Sequence, residues 1–276
     1  MPDAPGKSGL SPKFKSESVD IIHSFVRQKM DESNAEGVVI GLSGGLDSAV
    51  VAKLCADALG PEKVLCLILP DTATSEEDIK DALSLSTDLD VEYRVIDITN
   101  IVSAFSELLS PTELDPKALG NIKARSRMIT LYIHANLENR LVMGTSNKSE
   151  LATGYFTKFG DGGADFSPIG DLYKTQVFEL ARAICIPEEL IKKPPSAGLS
   201  EGQTDEGELG LSYDVLDRIL LGIELKMSSE DIAGKVGVDV SEVDRIQNLV
   251  SKNVHKRKMP LIPKIGIRTF GLDWRE

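Results

Sequence analysis

Short apolar runs alternate with amphipathic stretches over the first 145 residues of the chain. Four runs are rich in apolar residues, and they read GVVIGL (37–42), KVLCLILP (63–70), VEYRVIDI (91–98) and RLVMGT (140–145). Strands that are apolar throughout, rather than at every second position, are typical of a parallel sheet covered on both faces. The pattern therefore predicts an open, doubly wound α/β sheet with helices between its strands.

Helical periodicity fills the segments between these runs, and some helix ends carry local signals. Apolar positions from Val19 to Met30 recur at the spacing of one helix face. Thr74 and Glu77 have the spacing of a capping box, which indicates a helix start, and Gly60 suits the position after a helix end. The predicted helices cover residues 16–30, 47–60, 74–89, 99–109 and 116–139.

The character of the sequence changes after residue 146. Residues 154–175 are rich in glycine and scattered charges, which favours an irregular functional segment. Residues 188–212 are predicted to form a long polar loop, and its part 198–210 is expected to be mobile and to close over a bound ligand. Further helices are predicted over 212–226 and 239–253, with helix-start signals at Ser228 and Asp239.

Length and composition limit the classes of protein to which the chain can belong. With 276 residues and 41% hydrophobic residues, the chain is predicted to be a single domain over 1–276, with a flexible leader over 1–13. No apolar run approaches the ~18 residues of a membrane span, and the N-terminus lacks a signal-peptide core, so a cytoplasmic protein without a membrane partner is expected. Cys55, Cys66 and Cys185 stand alone among apolar neighbours, which predicts buried, reduced thiols.

The charge balance narrows the choice of partners. A formal net charge of −12 disfavours a polyanionic partner such as DNA or tRNA, which would meet a basic surface. A small anionic substrate remains compatible with this charge, because a few basic residues focused in one cleft are sufficient. The basic segment KNVHKRK (252–258) is a candidate for such a focus.

The segment GLSGGLDSAV (41–50) follows the first predicted strand and has the composition of a phosphate loop. Ser43, Gly44 and Gly45 allow a sharp turn whose backbone amides face inward, at the N-terminal end of the next helix. The loop is not a Walker A motif, since no GK[ST] follows. Asp47 would repel phosphate unless a cation joined the two, which favours Mg²⁺, although Asp47 as a plain helix cap is the alternative.

The stretch SGGLDS resembles the PP-loop of the N-type ATP pyrophosphatases, which cleave ATP to AMP and pyrophosphate. Four further stretches are similar to the NAD synthetase family within that superfamily, and with the loop they cover the chain nearly to its end. These stretches are GNIKARSRMITLY (120–132), GTSNKSE (144–150), GYFTKFGDGGADFSPIGDLYKTQV (154–177) and VHKRKMP (254–260). The resemblance implies the adenine nucleotide alpha hydrolase-like α/β fold with C-terminal helices. It also implies the stand-alone, ammonia-dependent type, without a glutaminase domain.

The resemblance also assigns roles to individual residues. ATP is expected to contact Gly41, Leu42, Ser43, Gly44, Gly45, Leu46, Asp47, Ser48, Thr145, Lys174 and Ser196. Deamido-NAD⁺ is expected to contact Arg125, Lys158, Asp165, His255 and Lys256. Asp47 and Glu150 are the expected Mg²⁺ ligands, and Asp47, Lys174 and Asp165 are the expected catalytic residues. Ser196 departs from the family pattern, in which many relatives carry threonine.

The reaction that the family implies is the amidation of deamido-NAD⁺ to NAD⁺ by ammonia, driven by cleavage of ATP to AMP and pyrophosphate. A nicotinate carboxylate is already ionised, so its attack on ATP needs alignment and charge neutralisation rather than a general base. Asp165 is the candidate to hold or deprotonate ammonium, because of its position in the DGGAD loop. The family also implies a homodimer, and an external glutaminase is a candidate source of ammonia.

Two alternatives stay open. The first is another PP-loop enzyme, such as a GMP synthetase-like or tRNA-modifying enzyme. The negative net charge and the absence of paired cysteines argue against a tRNA-thiolating enzyme. The second alternative is a non-catalytic nucleotide sensor, but a sensor has no need for the metal that the pair Asp47 and Glu150 suggests.

Overall fold

The computed structural model describes residues 9–109, 111, 114–196, 198 and 204–268. The strands are β1 (Gly37–Gly41), β2 (Val64–Ile68), β3 (Glu92–Val95) and β4 (Arg140–Met143). The helices are α1 (Glu17–Ser33), α2 (Leu46–Leu59), α3 (Glu76–Asp88), α4 (Thr99–Leu108), α5 (Pro116–Leu137), α6 (Lys148–Thr153), α7 (Lys174–Ala183), α8 (Glu188–Lys192), α9 (Asp205–Leu209), α10 (Tyr213–Glu224), α11 (Ser229–Val236) and α12 (Val240–Lys252).

The four strands form one parallel sheet in the order β3-β2-β1-β4. Strand β1 is central, and Val38 lies opposite Val64 of β2 on one side and Leu141 of β4 on the other. The chain moves outward from β1 to β3 and then returns to the opposite side of β1 with β4. This reversal creates a crevice beyond the carboxyl ends of β1 and β4, where open α/β sheets bind their ligands.

Both faces of the sheet are covered by helices, as predicted. Val38 and Ile40 point to the face that packs against α1, α2, α3, α7 and α8, whereas Val39 points to the face under α4 and α5. All three residues are fully buried. The continuously apolar sequence of β1 therefore follows from a strand that has no solvent-facing side.

The C-terminal helices form a second core beside the sheet. Buried apolar residues of α9, α10, α11 and α12 pack together, and Leu10 from the N-terminal segment joins them. Arg218 of α10 donates to the Leu10 carbonyl at 3.1 Å. The predicted flexible leader is therefore wrong at its inner end, while residues 1–8 lie outside the described ranges.

Several local predictions are corrected by the structure. Strand β3 is four residues long and mostly exposed, because it is an edge strand, and its polar Glu92 and Arg94 suit that position. Helix α3 begins after Ser75, whose hydroxyl accepts the Asp78 amide, so Ser75 rather than Thr74 is the N-cap. Cys185 is exposed, whereas burial raises the pKa of the Cys66 thiol to about 12.

The predicted polar loop over 188–212 is also wrong in part, because it contains the short helices α8 and α9. Of the segment 198–210, which was expected to be mobile, residues 205–209 form α9, and residues 199–203 lie outside the described ranges. Within the described part of the chain, no helix is both long and apolar enough to cross a bilayer.

Candidate active site

The loop between β1 and α2 is held in shape by its own serines. The Ser43 amide donates to the Ser48 hydroxyl at 3.2 Å, and the Gly45 amide donates to the Ser43 hydroxyl at 3.2 Å. The Ser48 hydroxyl in turn donates to the Gly45 carbonyl at 3.0 Å. The loop is thus ordered by short-range hydrogen bonds, with the N-terminus of the 14-residue helix α2 directly behind it.

Gly44 is required by the geometry of this loop. Its φ of 76° lies in the left-handed region, and a Cβ atom there would overlap the Asp78 carbonyl oxygen of α3. Lys193, just after α8, joins this loop to α3. Its ammonium donates to the Gly44 carbonyl at 3.2 Å and pairs with Asp78 and Asp81 at 2.6 Å each. No motif indicates this role for Lys193, which lies in a polar stretch of the sequence.

The charged centre of the crevice consists of Asp47, Lys174 and Glu150. Asp47 lies in the first turn of α2, and its carboxylate forms an ion pair with the buried ammonium of Lys174, the first residue of α7. Asn147 donates its side-chain amide to the other Asp47 oxygen at 3.3 Å. Asn147 and Glu150 form a capping box at the start of α6, which places Glu150 beside Asp47. The expected neighbours of Asp47 are therefore brought together at the end of β1 and β4.

The electrostatics of this centre follow from burial and charge. Burial raises the pKa of Glu150 well above its usual value, and the negative charge of Asp47 raises it further. Burial alone would lower the pKa of Lys174, but the charges of Asp47 and Glu150 outweigh it, so the pKa lies above its usual value. Lys174 is therefore a permanent cation that compensates two carboxylates.

The donor set suits a Mg²⁺ ion that arrives with a nucleotide. Asp47 and Glu150 provide two carboxylates close enough to repel each other, and a divalent cation would relieve that repulsion. Mg²⁺ is usually held by one or two carboxylates together with phosphate oxygens and water. Among the described residues, no group of three or more His, Cys, Asp or Glu side chains is arranged to enclose a metal. The remaining ligands would therefore come from the substrate.

Two polar residues of this centre were missed in the sequence. Asn147 is fully buried, and the N-x-x-E spacing with Glu150 was a capping-box signal that could have identified it. Asp205 of α9 brings a third carboxylate, whose charge also raises the pKa of Glu150. Tyr213 donates to one Asp205 oxygen at 3.0 Å. No sequence pattern indicated Asp205, because it lies in the segment predicted to be a loop.

The residues expected to bind the dinucleotide form a second group. Arg125 of α5 donates to the Lys158 carbonyl at 3.3 Å, and the Lys158 ammonium donates to the His255 carbonyl at 2.7 Å. Lys256 donates to the Gly154 carbonyl at 2.6 Å and the Phe156 carbonyl at 2.8 Å. These contacts fasten the C-terminal segment onto the Gly-rich segment, so the lysines also have a structural role.

A cavity of about 260 Å³ opens between these two segments. Four basic side chains line it, namely Lys158, Lys256, Arg257 and Lys258, together with the rings of Phe156 and Phe159. Burial lowers the pKa of Lys256, and the charge of Lys117 lowers it further. Cationic groups beside aromatic rings suit an anionic ligand with a planar base, although the chain as a whole is acidic.

Three predicted site residues have no described contact with either group. The Asp165 carboxylate is exposed and accepts the Tyr132 hydroxyl at 3.0 Å and the Val142 amide of β4 at 2.8 Å. Thr145 is half-buried just after β4. The Ser196 hydroxyl is exposed and accepts the Gly198 amide at 3.1 Å. The roles of these three residues stay predictions.

Comparison with known proteins identifies the family that this chain matches. A family model described as NAD synthase matches residues 18–260. The NH(3)-dependent NAD(+) synthetase of Pyrococcus horikoshii is 51% identical over 89% of this chain and 93% of its own length.

Two solved structures have the same fold. One is the NMN synthetase from Francisella tularensis, with a TM-score of 0.81 and 37% identity over 92% of this chain and 100% of that one. The other is the NH3-dependent NAD synthetase from Campylobacter jejuni in complex with nitrate, with a TM-score of 0.76 and 38% identity over 90% of this chain and 98% of that one.

Proposed function

The chain belongs to the NAD synthase family, and from this premise we propose that Asp47, Lys174 and Glu150 form the centre at which it cleaves ATP. The enzyme is an ammonia-dependent carbon–nitrogen ligase of NAD biosynthesis. It amidates deamido-NAD⁺ to NAD⁺ while ATP is converted to AMP and pyrophosphate. The observation that carries the proposed site is the convergence of one ammonium and two carboxylates directly behind the phosphate loop.

The first step joins the two substrates. The nicotinate carboxylate attacks the α-phosphorus of ATP, a P–O bond to the leaving pyrophosphate breaks, and an NAD-adenylate forms. Negative charge develops on the pyrophosphate, next to the N-terminus of α2 and the permanent cation of Lys174. The buried position of Lys174 strengthens this interaction because little water screens it.

Asp47 and Glu150 are the residues that would hold Mg²⁺ in this step. When bound, the ion would neutralise phosphate charge and help to orient the leaving group. Asn147 fixes the Asp47 carboxylate through its side-chain amide, and its backbone amide donates to Glu150 at 3.1 Å. The protein thus contributes two oriented carboxylates, and Lys174 keeps them close together before ATP arrives.

The dinucleotide is assigned to the basic cavity lined by Lys158 and Lys256. Its diphosphate would be attracted by the cationic wall, and Phe156 or Phe159 offers a ring for stacking. Arg125 and His255 complete the proposed contacts. In this assignment the phosphates of ATP lie beside Lys174, and the diphosphate of the dinucleotide lies beside Lys158 and Lys256.

The reaction products test the function as a whole. Purified protein is incubated with ATP, Mg²⁺, ammonium and deamido-NAD⁺, and NAD⁺, AMP and pyrophosphate are quantified. Equal amounts of the three are expected. ADP as product, or no turnover, would overturn the assignment. Because one structural relative is an NMN synthetase, nicotinate mononucleotide is offered in parallel. A higher kcat/KM with the mononucleotide would reassign the preferred acid substrate.

Asp165 is proposed to bind ammonium for the second step, in which ammonia displaces AMP from the adenylate and a proton is released. Its carboxylate is oriented by Tyr132 and Val142 and remains exposed. Asp165→Asn is expected to raise the KM for ammonium about 10-fold, since one charged hydrogen bond contributes roughly 1.5 kcal/mol, while the KM for ATP is unchanged. Asp171→Asn, a change at an exposed carboxylate of the same segment, is the control. An ammonium KM within twofold of the wild type would refute this role.

A homodimer is proposed to form through the layer of α4 and α5. Ile129, Ile133 and Leu137 follow one face of α5 at four-residue spacing and are all exposed. Helix α4, which packs beside α5, exposes Ile101, Phe105 and Leu108. Exposed apolar stripes of this kind are typical of protein interfaces.

Light scattering after size exclusion tests the dimer. The wild-type protein is expected near twice the chain mass of 29.9 kDa, and Ile133→Asp is expected to run as a monomer because a charge would be buried at the interface. Ile21→Asp, at an exposed isoleucine of α1, is the control and should stay dimeric. A monomeric wild type, or dissociation by the α1 change alone, would contradict this interface.

A cytoplasmic location is also proposed. Cys55, Cys66 and Cys185 are unpaired, which suits a reducing cytoplasm. Cell fractionation that placed the protein in an oxidising compartment would contradict this location. An external glutaminase is a proposed supplier of ammonia. Turnover with glutamine alone, in the purified protein, would make such a supplier unnecessary.

A further inference from the structure

A connected set of buried hydrogen bonds lies beside the charged centre of the site. Asp217 of α10 is fully buried, and one of its carboxylate oxygens accepts the Ser149 hydroxyl at 2.5 Å. Its other oxygen accepts the Thr175 amide at 2.8 Å. The Ser149 hydroxyl oxygen accepts the Lys174 amide at 2.9 Å. One carboxylate therefore joins the first turns of α6 and α7.

With Asp217 as a carboxylate, every donor of this arrangement meets an acceptor. The Lys174 amide donates to Ser149, so the hydroxyl proton of Ser149 is directed to Asp217. The Thr175 amide supplies the second donor, and the carboxylate lies at the N-terminus of α7, where an anion is favoured. Burial raises the pKa of Asp217, while the Ser149 and Thr175 hydrogen bonds act in the opposite direction.

The two first turns that Asp217 joins carry the charged groups of the site. Lys174 begins α7 and pairs with Asp47, and Glu150 follows Ser149 directly on α6. We propose that Asp217 is a positioning residue, which fixes Lys174 and Glu150 relative to each other so that both meet the phosphates of ATP and its Mg²⁺. This inference rests on the roles proposed above for Lys174 and Glu150.

The proposal follows from how steeply such chemistry depends on position. A displacement of about 1 Å can reduce a rate by about 100-fold, and loss of a group that orients a metal ligand commonly reduces metal affinity or activity by about 10–100-fold. Lys174 and Glu150 lie on different helices. The starts of these helices are also joined by the Lys148 amide, which donates to the Leu172 carbonyl at 2.8 Å, and by Glu224, which accepts the Lys148 ammonium at 3.0 Å and the Tyr173 hydroxyl at 2.6 Å. Asp217 and Ser149 provide the connection that reaches the Lys174 amide itself.

Asp217→Asn tests the proposal, because asparagine keeps the volume but provides only one carbonyl oxygen where two acceptors are needed. We expect kcat to fall about 10–100-fold and the half-saturating Mg²⁺ concentration to rise. The KM for deamido-NAD⁺ should stay within twofold, since the basic cavity is built by other segments. Ser149→Ala should show the same split, and the double variant should lose less than the product of the two single losses.

Ser86→Ala is the matched control for Ser149→Ala. Ser86 is as buried as Ser149, and its hydroxyl donates to the Ala82 carbonyl at 2.8 Å within α3. The Ser86→Ala variant therefore loses one buried hydrogen bond that lies away from α6 and α7. It should lower the melting temperature while leaving kcat and the Mg²⁺ dependence unchanged. If the Asp217→Asn variant does not fold, the Ser149→Ala variant tests the positioning role, because this change removes only one hydroxyl.

The outcomes separate this inference from the function on which it rests. Wild-type kcat and Mg²⁺ dependence in both Asp217→Asn and Ser149→Ala, with only a lower melting temperature, would overturn the positioning role. Lys174→Met and Glu150→Gln are measured beside them. If those two variants kept full activity, the proposed roles of Lys174 and Glu150 would fail instead.

Discussion

Replacing Asp47 by asparagine is expected to reduce kcat about 10³-fold while leaving the protein folded. Asparagine keeps the size of the side chain and its contact with Asn147, but it removes the negative charge that would hold Mg²⁺ on the leaving phosphates. The remaining Glu150 carboxylate still compensates Lys174, so the buried ammonium is not left alone. The loss should therefore fall on turnover rather than on stability.

Asp57→Asn provides the comparison within the same helix. Asp57 forms an ion pair at 2.6 Å with Lys53 one turn earlier on α2, on the outer side of the molecule. Surface pairs of this type contribute about 0–1 kcal/mol, so its melting temperature and kcat should remain near the wild type. Formation of AMP and thermal melting are measured for both variants. A folded and fully active Asp47→Asn protein would reduce Asp47 to a helix cap.

Replacing Lys174 by methionine is expected to affect both catalysis and stability. The kcat should fall about 10²–10³-fold, because a preorganised cation beside the leaving pyrophosphate is removed. The half-buried carboxylates of Asp47 and Glu150 would then face each other without compensation, at a cost that approaches the about 3–5 kcal/mol of breaking a fully buried pair. The free energy of unfolding is measured by urea titration, and kcat by AMP release.

A double variant distinguishes the two effects. In Asp47→Asn/Lys174→Met both charges of the ion pair are absent, so much of the lost stability should return while activity does not. Added Mg²⁺ should also stabilise Lys174→Met more than the wild type, since the ion can take the place of the ammonium between the carboxylates. Wild-type kcat in Lys174→Met would exclude it from the chemistry. Equal destabilisation of the single and double variants would refute the electrostatic explanation.

The sheet and the phosphate loop were predictable because their signals are local and strong. The sequence of strand β1 is apolar throughout. At position 44 the chain makes a left-handed turn against the Asp78 carbonyl, and glycine fits there because it has no Cβ. The closeness of Asp47 and Glu150 followed from a general rule, that the carboxyl ends of parallel strands share one edge. The strand order then made β1 and β4 direct neighbours.

The missed features depend on contacts between distant segments. Helices α8 and α9 have five residues each, too short for an apolar periodicity to emerge from a polar background. Lys193 and Asp217 carry no motif, since each acts by meeting backbone groups of another element. Strand β3 was predicted to be buried like the other three strands, whereas its edge position is a property of the sheet as a whole.

The position of β4 beside β1 also bears on how the chain is made. Asp47 and Asn147 are 100 positions apart, and at about 5–20 residues per second a ribosome needs about 5–20 s to travel between them. During that time the phosphate loop lacks its partners, and β1, whose apolar side chains are fully buried in the complete sheet, has one unpaired edge. Arrival of β4 completes the sheet, and the site is complete only when Lys174 of α7 has followed. A nascent chain halted before residue 140 is therefore both inactive and prone to aggregate.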